Sequence, residues 1–282
     1  MTGFICVDKA EGISSAAEVN KIKRLTNTPC GHMGTLDPMA SGVLPVAIGN
    51  AARLFDYFLD KRKTYVATFR FGVDSDTLDT TGQMRLNAGY VPAESQICGV
   101  LNEFVGELNQ IPPRYSAKNI SGKRGYELAR KGVDFELPPK KVTVYSFELL
   151  QQTDEDCYSF QIECGGGTYI RSLARDLGKR LNTCAVMSAL KRTQSGIFSL
   201  ENAVKTDSLT AENIKDFIIP TESVLPFDGI YPSVSDAKKL FNGLSVQTDL
   251  PDGTYKIFTA DGVFYGLAEA NRTILKVRKK LC

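Results

Sequence analysis

The sequence has little of what metal sites, disulfide scaffolds and membrane spans are made from. It contains one histidine, His32, and seven cysteines with no C-x-x-C pair among them. One imidazole cannot build a His-based metal centre. An odd number of scattered cysteines reads as reduced thiols rather than a disulfide framework or a zinc site. No stretch approaches about eighteen consecutive apolar residues, so no membrane span is expected. The opening MTGFICVDKAEG has no basic region followed by an apolar one, so no signal peptide is expected and the protein is placed in the cytoplasm. A charge excess is also missing: 34 Lys and Arg against 32 Asp and Glu leave +2, so any nucleic-acid surface must be local. Internal repeats and low-complexity segments are absent. What remains is a globular composition, 43% hydrophobic and 23% charged, in 282 residues, enough for one large domain and a small one.

The most distinctive stretch is Gly31–Gly42. It holds three glycines, Pro38, the only histidine and one carboxylate, Asp37. Such a composition excludes a regular helix or strand and favours a tight loop. Pro38 pushes Asp37 toward an extended conformation. The apolar run Val43–Ile48 reads as a buried strand that anchors the loop. A carboxylate on a stiff, anchored loop is a common way to present a reactive group; the plain alternative is an ordinary Asp-Pro turn.

Around it, Phe4–Val7 reads as a strand, and Ser14 or Ser15 caps a helix over about 16–26. Lys9 is either a surface lysine or a support for the loop. Residues 63–71 alternate, which sets Tyr65, Ala67, Phe69 and Phe71 on one face. The acidic run 74–82 lacks EF-hand spacing and reads as a solvated loop. A helix is expected over 94–108, strands over 142–149 and 158–164, and a helix from about Thr168. On that last helix Arg171 lies at the border of the apolar face formed by Ile170, Leu173, Ala174 and Leu177. Between Arg114 and Lys131 six basic residues face one acid, Glu127, with Tyr115 and Tyr126 interleaved, a pattern suited to phosphates and bases. Prolines 220, 226 and 232 mark a domain boundary. Beyond it Asp261-Gly262 predicts a type I′ hairpin, and a basic strand over 273–281 follows.

GHMGTLDPMASGVLPVAIG, beginning at Gly31, resembles the catalytic motif of the TruB family of tRNA pseudouridine synthases. Further stretches resemble the same family in its order and spacing. Asp8-Lys9 with Gly12, Ser14 and Ser15 shares its opening pattern. Lys63-Thr64-Tyr65-Val66-Ala67 resembles its K-x-Y-x-A strand. Ile111–Lys118, with Gly122, Tyr126, Ala129, Arg130 and Gly132, resembles its RNA-gripping insertion. Cys164–Leu173 and Asp176-Leu177-Gly178 resemble its second catalytic motif. The likeness covers about residues 5–200; Ala10 and Met33 depart from the commoner proline and threonine.

The resemblance implies a mixed α/β fold: a large, mostly antiparallel sheet flanked by helices, followed by a small β-barrel-like module similar to a PUA domain. The implied domains are 1–225, with the RNA-gripping insertion at about 110–135, and 230–282. The implied reaction isomerises the T-loop uridine at position 55 of tRNA to pseudouridine, on a base taken out of its stack, with no cofactor and no metal. Asp37 is the implied catalytic carboxylate, and attack on the sugar, attack on the base and elimination all fit it. Arg171 pairs with it, and Tyr65 stacks on the uracil. His32, Leu190, Tyr169, Lys9, Lys118, Lys123 and Arg130 are the implied substrate-binding residues. The partner is tRNA, at its T arm and acceptor end, with no membrane and no obligate protein partner, and a monomer is expected. Three alternatives stand beside this reading: a guide-RNA-dependent pseudouridine synthase, a non-catalytic RNA-binding or RNA-folding protein, and a glycosidase, for which no second carboxylate is evident.

Overall fold

A computed structural model of the protein describes residues 1–59, 62–86, 89–116, 119–120, 122–133, 135 and 137–281; the side chains of 58–59, 119–120, 123–124, 126 and 130 lie outside that description. The chain opens with β1 (Gly3–Lys9), α1 (Ser15–Thr26), the short β2 (Cys30–His32) and β3 (Ser41–Ile48). The Ser14 hydroxyl accepts from Ala17 N–H and caps α1, and Asn27 ends it in the left-handed region. Next come β4 (Lys63–Phe71), α2 (Glu94–Leu101), β5 (Gly106–Gln110), the long β6 (Lys140–Asp154), β7 (Cys157–Cys164), α3 (Ile170–Arg180), β8 (Ala185–Ser195) and β9 (Phe198–Ser199).

These nine strands form one sheet in the order β1-β3-β8-β4-β7-β6-β5, with β2 on β3 and β9 on β8. Neighbours run antiparallel. The exception is β3 beside β8, which is parallel over Ser41 and Gly42 against Lys191 and Arg192. The alternation in β4 becomes strict burial of Tyr65, Ala67, Phe69 and Phe71. α1, α2 and α3 cover that face. Phe69 meets Phe160 with ring centroids 4.9 Å apart, and Phe147 meets Phe160 edge-on at 5.4 Å. Each such ring contributes about 2–3 kcal/mol by burial.

Two expectations change here. The helix expected over 94–108 stops at Leu101, and Leu108 instead lies on β5 opposite Val142. Gly106 has φ 107°, which a helix cannot use, and β6 offers the freed backbone a partner. The proline-punctuated stretch after β9, expected as a domain boundary, packs against the large sheet. Ile219 and Val204 bridge to β1, and Val224 and Leu225 are buried behind the sheet with Phe4, Cys6, Val43 and Leu54. The Asp261-Gly262 hairpin forms, but only Gly262 has positive φ, and Gly262 N–H closes on the Thr259 carbonyl at 2.9 Å; the turn is therefore not type I′.

The C-terminal part carries β10 (Gly229–Ile230), α4 (Val234–Phe241), β11 (Val246–Gln247), β12 (Gly253–Phe258), β13 (Phe264–Asn271) and β14 (Ile274–Lys280). They form a five-stranded sheet in the order β10-β12-β13-β14-β11, the small β-rich module anticipated. It has its own core around Leu240, Ile257 and Leu275. It also sends Leu267 and Leu281 into the cluster behind the large sheet. Asn50 Nδ2 donates to the Leu281 carbonyl at 2.9 Å, and Arg53 Nη1 to the Lys280 carbonyl at 2.8 Å. No helix among the described residues is long and apolar enough to cross a membrane.

Candidate active site

The Gly31–Gly42 stretch leaves β2 and is held almost residue by residue. Met33 N–H donates to the Pro45 carbonyl at 2.8 Å. The buried Ser15 hydroxyl both accepts from Leu36 N–H at 2.9 Å and donates to the Leu36 carbonyl at 2.8 Å. Ala40 N–H closes a turn on the Asp37 carbonyl at 3.0 Å, and Gly12 N–H reaches the Pro38 carbonyl at 2.8 Å. At the far end Gly42 has φ 96°, and a Cβ there would collide with the Arg192 carbonyl, so only glycine fits.

Lys9, expected among the substrate-binding residues, is fully buried. Its ammonium donates to the carbonyls of Ile13 at 2.6 Å, Ala10 at 2.8 Å and Pro38 at 3.1 Å. Burial lowers its pKa, against the opposing pull of Glu18 and Asp37. It has no surface to offer a ligand. Of the two roles left open, the loop support matches this placement.

Asp37 stands at the crest of the loop, with its side chain 36% exposed. Its Oδ2 lies 2.9 Å from Arg171 Nη2. Arg171 comes from the first turn of α3 and is itself buried, so the guanidinium approaches the loop from below. It also donates to the carbonyls of Thr77 at 3.0 Å and Tyr115 at 3.1 Å. On its other side lies Asp79, with Oδ2 3.4 Å from Nη1. The run 74–82 is therefore not simply solvated: Asp79 and Ser75 are buried. The Thr81 and Thr77 hydroxyls donate to Asp79 Oδ1 at 2.6 and 2.7 Å, and Thr81 N–H donates at 3.0 Å.

Tyr65 lies 6% exposed at the start of β4. Burial raises the pKa of its phenol, the nearby Arg192 guanidinium lowers it, and Asp37 is close enough to raise it. Leu190 on β8 pairs with Ala67 and is buried beside that ring. Tyr169 caps α3 by its backbone: its N–H donates to Gln110 Oε1 at 2.8 Å, and its carbonyl accepts from Gln110 Nε2 at 3.1 Å. Burial raises the pKa of its phenol, and both Arg171 and Asp37 act on it. His32 ends β2 with its Nδ1 buried and without a hydrogen-bond partner. Burial and, next, Arg192 hold its pKa below the ordinary 6.5. The structure thus brings Asp37, Arg171, Tyr65 and Tyr169 close together, with Leu190 in the same core cluster as Tyr65. In the insertion, Tyr115 holds Arg171 by its carbonyl and reaches Asp76 Oδ2 at 3.3 Å. Lys118 lies outside the described residues, as do the side chains of Lys123 and Arg130.

Two residues at the site escape a reading by motif and charge. Asp79 sits between threonines two positions before and two after it, a hydroxyl pattern that can saturate a carboxylate and so allow its burial. Arg192 is buried two residues after Leu190, between the exposed Lys191 and Gln194; period-two alternation in β8 was its signal. Chemically, the constellation offers one partly open carboxylate beside an aromatic face, suited to a nucleophile or base acting on a sugar whose base lies against the ring.

The profile for the TruB family pseudouridylate synthase N-terminal domain matches residues 23–170, and that for the tRNA pseudouridylate synthase B C-terminal domain matches residues 171–226. A tRNA pseudouridine synthase B from Clostridium novyi (strain NT) is 39% identical over 290 aligned positions, covering 100% of both chains. The protein of that name from Clostridium kluyveri is 36% identical over 278, covering 95% of each. Among solved structures, an H/ACA RNP bound to a substrate RNA containing 2′-deoxyuridine superposes with TM-score 0.70 at 26% identity, covering 99% of this chain and 85% of that one. The chain belongs to the TruB family of pseudouridylate synthases.

Proposed function

We propose that this chain is a tRNA pseudouridine synthase that converts the T-loop uridine at position 55 to pseudouridine, with Asp37 as its catalytic carboxylate. The observation that carries the reading is the half-open Asp37, tied to buried Arg171 at 2.9 Å beside the Tyr65 ring. In the reaction the N1–C1′ bond breaks, the uracil turns in place and C5 joins C1′; the C5 proton is lost and N1 regains one, so atoms and charge balance. The base must first leave its stack. Tyr65 then holds it by its face, and Leu190 walls the pocket. His32 and Tyr169 meet the flipped nucleotide and its neighbours. Lys118, Lys123 and Arg130 contact phosphates of the T arm, and Lys9 acts by holding the loop. The catalytic part spans 1–225, and the module from 230 meets the acceptor end. The protein works as a cytoplasmic monomer.

The test is nucleotide-resolved pseudouridine mapping of a tRNA transcript incubated with the protein alone. Pseudouridine at position 55 and nowhere else is expected; unmodified tRNA would overturn the proposal. One observation favours a second reading, guide-RNA dependence: the solved structure it resembles is part of an H/ACA RNP. Full-length identity of 36–39% to proteins named tRNA pseudouridine synthase B weighs for the first, and activity on bare tRNA separates the two.

A further inference from the structure

Arg192 is among the largest fully buried side chains of the protein, at 1% exposure. Among the described residues no carboxylate pairs with it. A buried cation without a counter-charge is costly, so its neighbours must satisfy it by hydrogen bonds. They are all parts of the site. Nε donates to the Val43 carbonyl at 2.7 Å and Nη2 to the Gly34 carbonyl at 3.0 Å, with a longer contact of 3.5 Å from Nη1 to the Thr35 carbonyl. Gly34 and Thr35 lie before Asp37 and Val43 after it, so one guanidinium holds both arms of the loop. Its backbone sits equally centrally. β8 runs between β3 and β4, and at Arg192 it is paired with Gly42 on one side and Tyr65 on the other. The residue therefore bridges the strand that leaves the Asp37 loop and the strand that carries the aromatic ring.

We infer that Arg192 is a positioning residue of the reaction, whose guanidinium fixes the Asp37 loop relative to the Tyr65 ring. Three acceptors in different directions need the planar fork of arginine; an ammonium on a flexible stem cannot meet them together. Burial raises the pKa of the Tyr65 phenol, and the same guanidinium is close enough to lower it. Reacting groups misplaced by about 1 Å lose about a hundredfold in rate, and this is the size of effect expected.

The inference rests on the proposed reaction, so its test joins a measurement that needs no activity to one that does. Arg192→Lys keeps the charge and loses the fork. Hydrogen exchange over residues 33–43 should quicken about tenfold or more while exchange in β7 stays unchanged. Affinity for tRNA should remain within about threefold, and the single-turnover rate should fall about a hundredfold. A merely structural arginine would act independently of Tyr65. Here the combined Arg192→Lys, Tyr65→Leu protein, which lacks the ring that Arg192 is held to place, should lose clearly less than the product of the two single losses. Arg192→Gln is carried through the same series in case the lysine variant fails to melt cooperatively. Unchanged exchange in the loop, an unchanged rate, or losses that simply multiply would each overturn the inference. Loss of cooperative melting in both variants would make Arg192 a folding residue and overturn it too. If the wild-type protein leaves tRNA unmodified, the proposed function falls instead, and the exchange measurement alone decides whether Arg192 holds the loop.

Discussion

Two loops bring an aspartate to Arg171, and they treat it oppositely. The Asp37 loop uses its hydrogen bonds on its own backbone: Met33, Leu36, Pro38 and Ala40 are all tied. Its carboxylate is left 36% exposed, with the arginine as its one ion-pair partner among the described residues. The 74–82 loop directs its hydrogen bonds at the carboxylate, and Asp79 keeps three donors on Oδ1 and 5% exposure. Both carboxylates touch the same guanidinium. The difference lies in what remains unsatisfied. A rigid backbone with an open side chain can react; a saturated side chain can only hold.

The comparison breaks most sharply at Asp37. Asp37→Asn keeps the shape and removes the charge, so pseudouridine formation should fall by about a thousandfold or more with tRNA affinity within a few-fold. Turnover by a clean preparation of this variant would remove Asp37 from the chemistry. Arg171→Ala comes next. It unlatches Asp37 and leaves Asp79 buried without its cation, so the single-turnover rate should drop about a hundredfold and the protein should lose about 3–5 kcal/mol of stability. Urea titration reads the second effect, and an unchanged midpoint would mean Asp79 does not depend on the pair. Asp79→Asn keeps the acceptor for both threonines and should cost only about tenfold in rate. A loss equal to that of Asp37→Asn would abolish the distinction between the two loops.

A smaller effect is expected from His32, on the strand that feeds the open loop. Burial and Arg192 hold its pKa below 6.5. Below that pH the unfolded chain takes up a proton that the folded one resists. Its contribution is therefore complete above about pH 6.5 and is lost as the pH falls toward the lowered pKa. His32→Gln should flatten the decline of Tm between about pH 6.5 and pH 5; parallel curves for the two proteins would refute this. Smallest of all are changes remote from both loops. Arg278 and Lys279 already face Glu269 and Asp56, which leaves the exposed Lys276 and Lys280 as better candidates for meeting phosphates. Reversing both to glutamate should lower the salt slope of tRNA binding by about one for each phosphate no longer neutralised and leave the rate at saturating tRNA unchanged. A slope equal to wild type would take these residues out of the interface.

Much of the site was legible because two periodicities point inward. Alternation in 63–71 buried Tyr65, and the face of α3 put Arg171 at a border where it could turn toward a carboxylate. The Asp37 loop stood out by composition, and the family resemblance joined it to both. Asp79 was missed because charge in 74–82 was weighed without its hydroxyls, and hydroxyls decide whether a carboxylate can be buried. Arg192 was missed because an arginine reads by charge as an exposed residue, whereas alternation in β8 buries it. The helix expected over 94–108 overran because Leu108 continues the apolar spacing of 97–105; one glycine with φ 107° ended it. Lys9 was left between two roles that only burial could separate.

The cluster behind the large sheet has a temporal consequence. Phe4, Val43 and Leu54 share it with Leu267 and Leu281, so nearly the whole sequence must be synthesised before its partners are all present. At the ribosome the helix-covered face, whose buried core runs from Ile5 to Ile214, can consolidate first, while the opposite face waits for β13 and β14. Associations of such sequence separation form late and slowly. The nascent protein therefore carries an uncovered apolar surface until Leu267 and Leu281 have emerged.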